Sequence, residues 1–559
     1  MRPEKKGTDR AQLALGLLEE AIASDAFVRV IDLFVDQVGD LTRLGFGIPA
    51  ERTNDKGGAP AYAQGALLKC YLYGYYYGIR SSRRLARQCR INIEMIWLME
   101  GLQPEYHTIS DFRKNNPQGL KLVFTAFNEF LNGQGLFGKE TIAVDGVKIR
   151  AQNSKKNNYN EDKIKRHQEY NAQKTDQYLK ELEELDQISS EEDPKTTETD
   201  NGRDQIKKAL ESLKKSKDKY SLLESQLKEA QTCGQTQIST TDADSRALPE
   251  HMNIVNVSYN IQTGVDDKHC LVAHFEVTNV KDINALGQFA CDTATALGTT
   301  VEHPMNVLAD AGYHCAEELA FCEQNNLITY VAPVLGGTTR EEGFRKEDFQ
   351  YDQKSDSYTC PAGEKLQTNG QWYERKNRQG QVIYHFLRYI ADKETCLRCE
   401  FSATCLGKVN PEKCVRGRSM ERSQYEELLE ANKRRVAQNK ELYRRRQAIV
   451  EHPFGTIKRG WGYTYTLLKR LPKVTGEFSL IFTAYNMRRS VSILSFTGLM
   501  VALKSWNLSL DWVEKTQFYL FLLPDALCSL LLPKQYSIGV FTTNACIARN
   551  GYGQRQGWP

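Results

Sequence analysis

The sequence predicts an α/β fold: a mixed sheet with flanking helices, preceded by an all-helical N-terminal domain and interrupted by a helical hairpin and a cysteine-bearing insertion. Three observations carry that expectation. Apolar residues recur every three or four positions from Ala11 to about Leu136, the period of helices. After Gly138 the order becomes strand, hairpin, helix, strand, helix, strand, which builds a mixed sheet covered by helices. Two stretches of different composition, residues 152–237 and 336–418, break into that order. A chain of 559 residues also exceeds a single compact core, so several units are expected.

The N-terminal domain, residues 1–137, takes its helices from ALGLLEEAIASDAFVRVIDLFVDQV and QGALLKCYLYGYYYGIRSSRRLARQC. In the second stretch Arg80, Arg83, Arg84, Arg87 and Arg90 fall at helical spacing beside Tyr71, Tyr73, Tyr75, Tyr76 and Tyr77. Such a stripe suits DNA phosphates, or plain solvent above a tyrosine-rich core, and spacing leaves both open. The sheet domain is expected over residues 138–151, 238–335 and 419–470. It starts with TIAVDGVKIRA, rich in β-branched residues, and continues with NIVNVSYNIQTGVD and KHCLVAHFEVTNV, a hairpin turning at Asp266, Asp267 and Lys268. A helix near Asn284–Leu297, the strand PMNVLAD, the helix AEELAFCEQNN and the strand LITYVAPV follow. One long helix, QYEELLEANKRRVAQNKELYRRRQAIVEH, comes last.

Residues 152–237 carry heptad-like leucines and opposite charges four positions apart, the pattern of two antiparallel helices around a loose tip, SSEEDPKTTETDNG. Residues 471–504 read as C-terminal helices, and residues 505–559 form a tail of unknown role. The balance of 74 Lys and Arg against 70 Asp and Glu gives +4, which neither demands nor excludes a polyanionic partner. MRPEKKGTDR at the start has no apolar signal stretch, and the apolar run Phe518–Leu532 is short for a bilayer and broken by Pro524 and Asp525. A cytoplasmic protein without membrane attachment is expected.

Asp145 sits inside an otherwise apolar strand, and Asp310 at the end of another. A lone strand-end Asp forms a turn more often than it catalyses, so a third carboxylate is needed for a chemical reading. Glu451 supplies one. It lies among Arg444, Arg445, Arg446, Lys458 and Arg459, and residues 431–470 hold eleven Lys and Arg against two Glu, a local net of +9. A basic helix around one acid suits a protein that grips phosphates and keeps a hard oxygen ligand for a metal. Two Asp and one Glu could hold two divalent ions ~3.5–4 Å apart for phosphodiester chemistry.

The sequence resembles the DDE-type insertion-sequence transposases, closest to the IS-eleven-eighty-two group of the IS-four-like lineage. The residues that carry the resemblance are AVDGVKIRAQNSK, TTDADSR, YNIQTGVD, VLADAGYH and YRRRQAIVEHPFGTIKRGWGY, with IRSSRRLARQCRINIEMIWLMEG and HTISDFRK in the N-terminal domain. That resemblance implies an RNase H-like core and a bacterial, cytoplasmic protein associated with the nucleoid when bound to DNA. It implies a triad of Asp145, Asp310 and Glu451 holding two Mg²⁺ (or Mn²⁺) ions. It also implies binding to terminal inverted repeats and target DNA, and a homodimer assembled on DNA. The lineage signature would fall on Tyr443, Arg446, Glu451 and Lys458. Arg446 is one residue further from Glu451 than the wider pattern, whereas Arg444 shares the helical face of Glu451, so both remain open. Arg459 adds a further phosphate contact, and Trp461 a ring for stacking on an unpaired base. A nuclease without strand transfer and a catalytically inactive, transposon-derived DNA-binding protein are the alternatives.

The insertion holds Cys360, Cys396, Cys399, Cys405 and Cys414, two of them in a C-x-x-C pair. Cys360, Cys396, Cys399 and Cys405 offer the four thiolates of a structural Zn²⁺ site, with reduced, unliganded cysteines as the alternative.

Overall fold

The computed structural model describes residues 18–47, 61–191, 197–232, 234–250, 254–299, 303–334, 343–376, 380–406 and 416–508. Cys414 and nearly all of the tail, with its apolar run, lie outside the described residues. Six helices come first: α1 (Val28–Val38), α2 (Gln64–Tyr76), α3 (Ser82–Ile91), α4 (Ile93–Leu98), α5 (Tyr106–Asn115) and α6 (Pro117–Gly133). α1 buries Val28, Ile31, Phe34, Val35 and Val38, one face at helical spacing. α6 opens on Pro117, where a missing N–H costs nothing. The tyrosines of α2 form core: the Tyr71 hydroxyl donates to Ile109 O at 2.8 Å, and Tyr75 accepts from Arg113 at 2.8 Å.

The sheet domain follows as β1 (Thr141–Arg150), β2 (Asn158–Tyr159), α7 (Glu161–Glu191), α8 (Thr197–Thr232), β3 (Ile238–Ser239) and β4 (Arg246–Pro249), then β5 (Val255–Asp266), β6 (Val272–Thr278), α9 (Gly287–Ala296), β7 (Met305–Ala309), α10 (Ala316–Gln324) and β8 (Leu327–Val331). β1 is central. It pairs antiparallel with β5, from Ile142↔Asp266 to Arg150↔Ser258, and parallel with β7, from Thr141↔Asn306 to Ala143↔Leu308. β8 extends the sheet parallel to β7, while β6 and β4 share the far edge of β5. α7 and α8 lie antiparallel, with Gln168 bonded to Glu224 and Asn171 to Ser216. Tyr159, Ile164, Tyr220, Leu223 and Leu227 bury a small core at their base.

The cysteine-bearing region contains a second sheet that composition does not announce. β9 (Gln350–Asp352), β10 (Ser357–Thr359), β11 (Lys365–Lys376), β12 (Val382–Ile390) and β13 (Ser419–Ser423) form an antiparallel sheet, with the short helices α11 (Lys393–Arg398) and α12 (Ser402–Leu406) between its last two strands. β11 is exposed along most of its length, so it lacks the apolar alternation that marks a strand.

The expected single long helix is two. α13 (Glu426–Gln438) stops at Asn439 (φ −114°, ψ 49°), whose side chain donates to Arg435 O at 2.9 Å, and α14 (Lys440–Phe454) starts a new axis. Asn competes for backbone partners and so favours helix ends. α14 carries Pro453 in its last turn and widens into a π-helical turn, Gly455–Gly460. Pro453 has no N–H to return to the preceding turn, which loosens the ladder there.

α15 (Leu471–Ser505) is one helix kinked at Ser495, buried along most of its stretch from Val474 to Ser490. It runs between the helical domain and the sheet. Asn486 donates to Asn128 Oδ1 of α6 at 2.8 Å and to Val272 O of β6 at 2.9 Å, and accepts from Val272 N at 3.0 Å. One apolar core consequently includes Phe34 and Phe127, Ile142, Tyr259 and Val307, and Phe482 and Leu503. Among the described residues, no helix is long and apolar enough to cross a membrane.

Candidate active site

The register of the two parallel strands places the first two carboxylates. Ala143 of β1 stands opposite Leu308 of β7, so Asp145 and Asp310, each two residues further on, emerge on the same side of adjacent strands. Asp145 is half-buried and accepts its own neighbour's N–H, Gly146, at 2.9 Å. Burial first, and then the charge of Asp310, raise its pKa to about 6, while Arg446 pulls the other way. Asp310 caps the short 3₁₀ turn Ala311–Tyr313, with Gly312 N donating to Oδ1 at 2.8 Å.

Behind this pair lies a polar network absent from the sequence reading. Asp282, in the loop after β6, accepts from Asn260 Nδ2 and Gln262 Nε2 at 2.7 Å each and pairs with Lys148. Gln262 in turn accepts from the Tyr313 hydroxyl. Gly146 leaves room for this network, because a Cβ there would meet Asp282 Oδ1 and stand 2.7 Å from Gln262 Nε2. Asp282 belongs to no spacing pattern; only the registers of β1, β5 and β6 bring it beside Asp145.

α14 packs over β1 and β7. Its Tyr443 hydroxyl donates to Ala309 O at 3.3 Å, one residue before Asp310. Arg446 is half-buried, lies 6.0 Å from the Tyr443 ring and acts on Asp145. Arg444 instead is exposed and lines an open hollow of about 300 Å³ with Pro333 and Lys433. Lys458, on the π-helical turn, is half-buried; burial lowers its pKa, and Glu250 and Asp145 act against that. Glu451 is exposed and accepts from Gln447 Nε2 at 2.8 Å, one turn earlier on α14. It stands about 140° around the helix from Arg446 and about 80° from Tyr443. Among the described residues, no three His, Cys, Asp or Glu side chains stand in ready-made metal-binding geometry. Arg459 is exposed, and Trp461 is half-buried with its ring 5.5 Å from Tyr463.

On the helical domain the arginines divide. Arg83 and Arg84 are exposed on α3, as are Arg87 and Arg90. Arg80, expected on the same stripe, is 8% exposed. It donates to Tyr465 O at 2.8 Å, pairs with the fully buried Glu477 at 3.4 Å and lies 4.1 Å from the Tyr463 ring. The residue precedes α3 rather than lying on it, so helical spacing does not carry it to the surface.

TTDADSR acts as a clamp. Asp242 accepts from the Tyr259 hydroxyl at 2.8 Å and from Arg470 N at 2.9 Å, and Asp244 accepts from Leu471 N at 2.8 Å, fixing the start of α15. His452 is exposed, and its Nδ1 shares a 2.7 Å hydrogen bond with the Tyr485 hydroxyl.

Two family models match the chain: a transposase domain (DUF772) over residues 17–115 and a transposase DDE domain over residues 359–491. No curated protein and no solved structure matches. The first match spans the helices with the exposed arginines, and the second contains Glu451 and Lys458. Together they support a DNA transposase of the DDE type.

Proposed function

We propose that the chain is an insertion-sequence transposase that binds the terminal inverted repeats of its element, cleaves at their ends and joins the freed 3′-hydroxyl to target DNA. The observation that carries this reading is the pair Asp145 and Asp310, on neighbouring parallel strands beneath the basic helix that bears Glu451. The strand order β6-β5-β1-β7-β8, antiparallel up to β1 and parallel after it, supports an RNase H-like core.

Asp145, Asp310 and Glu451 would hold two Mg²⁺ or Mn²⁺ ions. The donor set is hard oxygen, and Asp145 is crowded by burial and by Asp310 in a way that a divalent cation offsets. When bound, such ions supply an activated water or hydroxyl and stabilise the leaving oxygen. The chain's own residues do the rest. Tyr443 ties α14, which carries Glu451, to the end of β7, one residue before Asp310. Arg446 and Lys458 place positive charge beside Asp145, where a scissile phosphate would lie. Arg444 and Arg459 extend that charge along the DNA, Trp461 offers a ring at its margin, and Arg83 and Arg84 contact the terminal repeat. Assembly on paired ends would make the working unit a homodimer, acting in the cytoplasm at the nucleoid.

Asp145→Asn, Asp310→Asn and Glu451→Gln are each expected to abolish Mg²⁺-dependent cleavage of element ends while leaving gel-shift binding in place. Incubation with the DNA flanking its own gene, followed by sequencing of products, reads cleavage and joining together. Cleavage retained in any one variant removes that residue from the triad, and nicked but never joined products would replace the transposase by a nuclease.

A further inference from the structure

The insertion's second sheet has a small core: Phe349, Tyr358, Leu366, Tyr389, Ala391 and Met420 pack together, with Phe386 buried beside them on β12. A core of that size supplies little stability, and small units of this kind are commonly held by disulfides or a metal. Beside it, four cysteines from three segments face one cavity of about 30 Å³, room for an ion-sized guest. Cys360 comes from the turn after β10, Cys396 from α11, Cys399 from its C-terminus and Cys405 from α12. All four are free thiols.

The backbone around them is arranged for sulfur acceptors. Gly363 (φ +87°) closes the Cys360–Pro361–Ala362–Gly363 turn, so that Gly363 N reaches Cys360 O at 2.9 Å and Glu364 N reaches Cys360 Sγ at 3.3 Å. Arg418 N reaches Cys396 Sγ at 3.5 Å, and Gly417 admits that approach, since a Cβ there would stand 3.0 Å from the same sulfur. The Arg418 guanidinium donates to Cys405 O and Phe344 O at 3.1 Å each, while its Nε is buried without a hydrogen-bond partner. A half-buried cation with an unused donor beside four thiols is matched by negative charge on those sulfurs.

We propose that Cys360, Cys396, Cys399 and Cys405 bind one structural Zn²⁺ ion, which pins α11 and α12 to the turn after β10. Binding releases the thiol protons to solvent, and Arg418 offsets part of the resulting negative charge. An all-thiolate set favours zinc over magnesium or calcium. The thiols close onto the ion by turning their side chains, because the ready-made geometry is absent.

The test uses the full chain, purified without chelator, and does not depend on DNA cleavage. Elemental analysis is expected to find about one zinc per chain, released by a mercurial that titrates thiols. The cobalt-substituted protein is expected to show the absorption of tetrahedral thiolate coordination. C396S/C399S should lose the metal and C291S should keep it. If the double variant does not fold, alkylation of the wild-type chain decides: zinc should protect these four cysteines and no others. A zinc-free chain with all four thiols alkylated overturns the site, as does a Cys396–Cys399 disulfide. Zinc that survives Cys405→Ser but not Cys414→Ser overturns the ligand set.

Discussion

Asp145 concentrates the electrostatics of the site. An ordinary Asp titrates near ~3.9, whereas burial and the facing Asp310 lift this one to about 6. Between those values the folded chain keeps a proton that the unfolded chain has released. Stability of the metal-free protein therefore falls as pH rises through that window, and the carboxylate is a net cost above it. Asp145→Asn is expected to raise the melting temperature in EDTA at pH 8 and to lose most of that advantage near pH 4. A gain of equal size at both pH values would mean that Asp145 titrates normally. Residues of this kind were legible, since an acid in an apolar strand, followed by Gly146, stands out in a single sequence. Asp282 was not, because its importance comes from three strand registers, and no local spacing encodes them.

At the scale of elements, α3 and the segment before it separate two roles that helical spacing had merged. Arg84 projects from α3 into solvent, whereas Arg80 neutralises Glu477 of α15 inside the core. Arg84→Ala is expected to weaken terminal-repeat binding and to lower the slope of log K against log salt by about 1, leaving the melting temperature unchanged. Arg80→Ala is expected to cost roughly 3–5 kcal/mol of stability in urea titration, because it removes the ion-pair partner of a buried carboxylate, which keeps only the Leu467 and Leu468 N–H donors. The opposite pattern, a salt-sensitive binding defect in a stable Arg80→Ala protein, would return Arg80 to the DNA surface. The strands and helices of the main sheet were readable because their β-branched and amphipathic runs are strong. The exposed β11 and the break at Asn439 were hidden, one by missing alternation and the other by a continuous apolar period across a local backbone choice.

Across the whole molecule, stability is not divided where composition changes. α15 welds the N-terminal helices to the sheet in one core, while the insertion and the α7–α8 hairpin each have a small core of their own. Hydrogen exchange on the metal-free chain is expected to show α6, α15 and β5 opening together at the highest free energy, with β11 and β12 opening earlier. Opening of α6 independently of β5 would contradict the shared core. The hairpin also has a length. α7 and α8 contain 31 and 36 residues, so at ~1.5 Å per residue the arm is about 45 Å long. Laid against a duplex at ~3.4 Å per base pair, it spans about thirteen base pairs, more than one helical turn. Built into the chain between β2 and β3, this arm is long enough to reach more than one helical turn of duplex from its base.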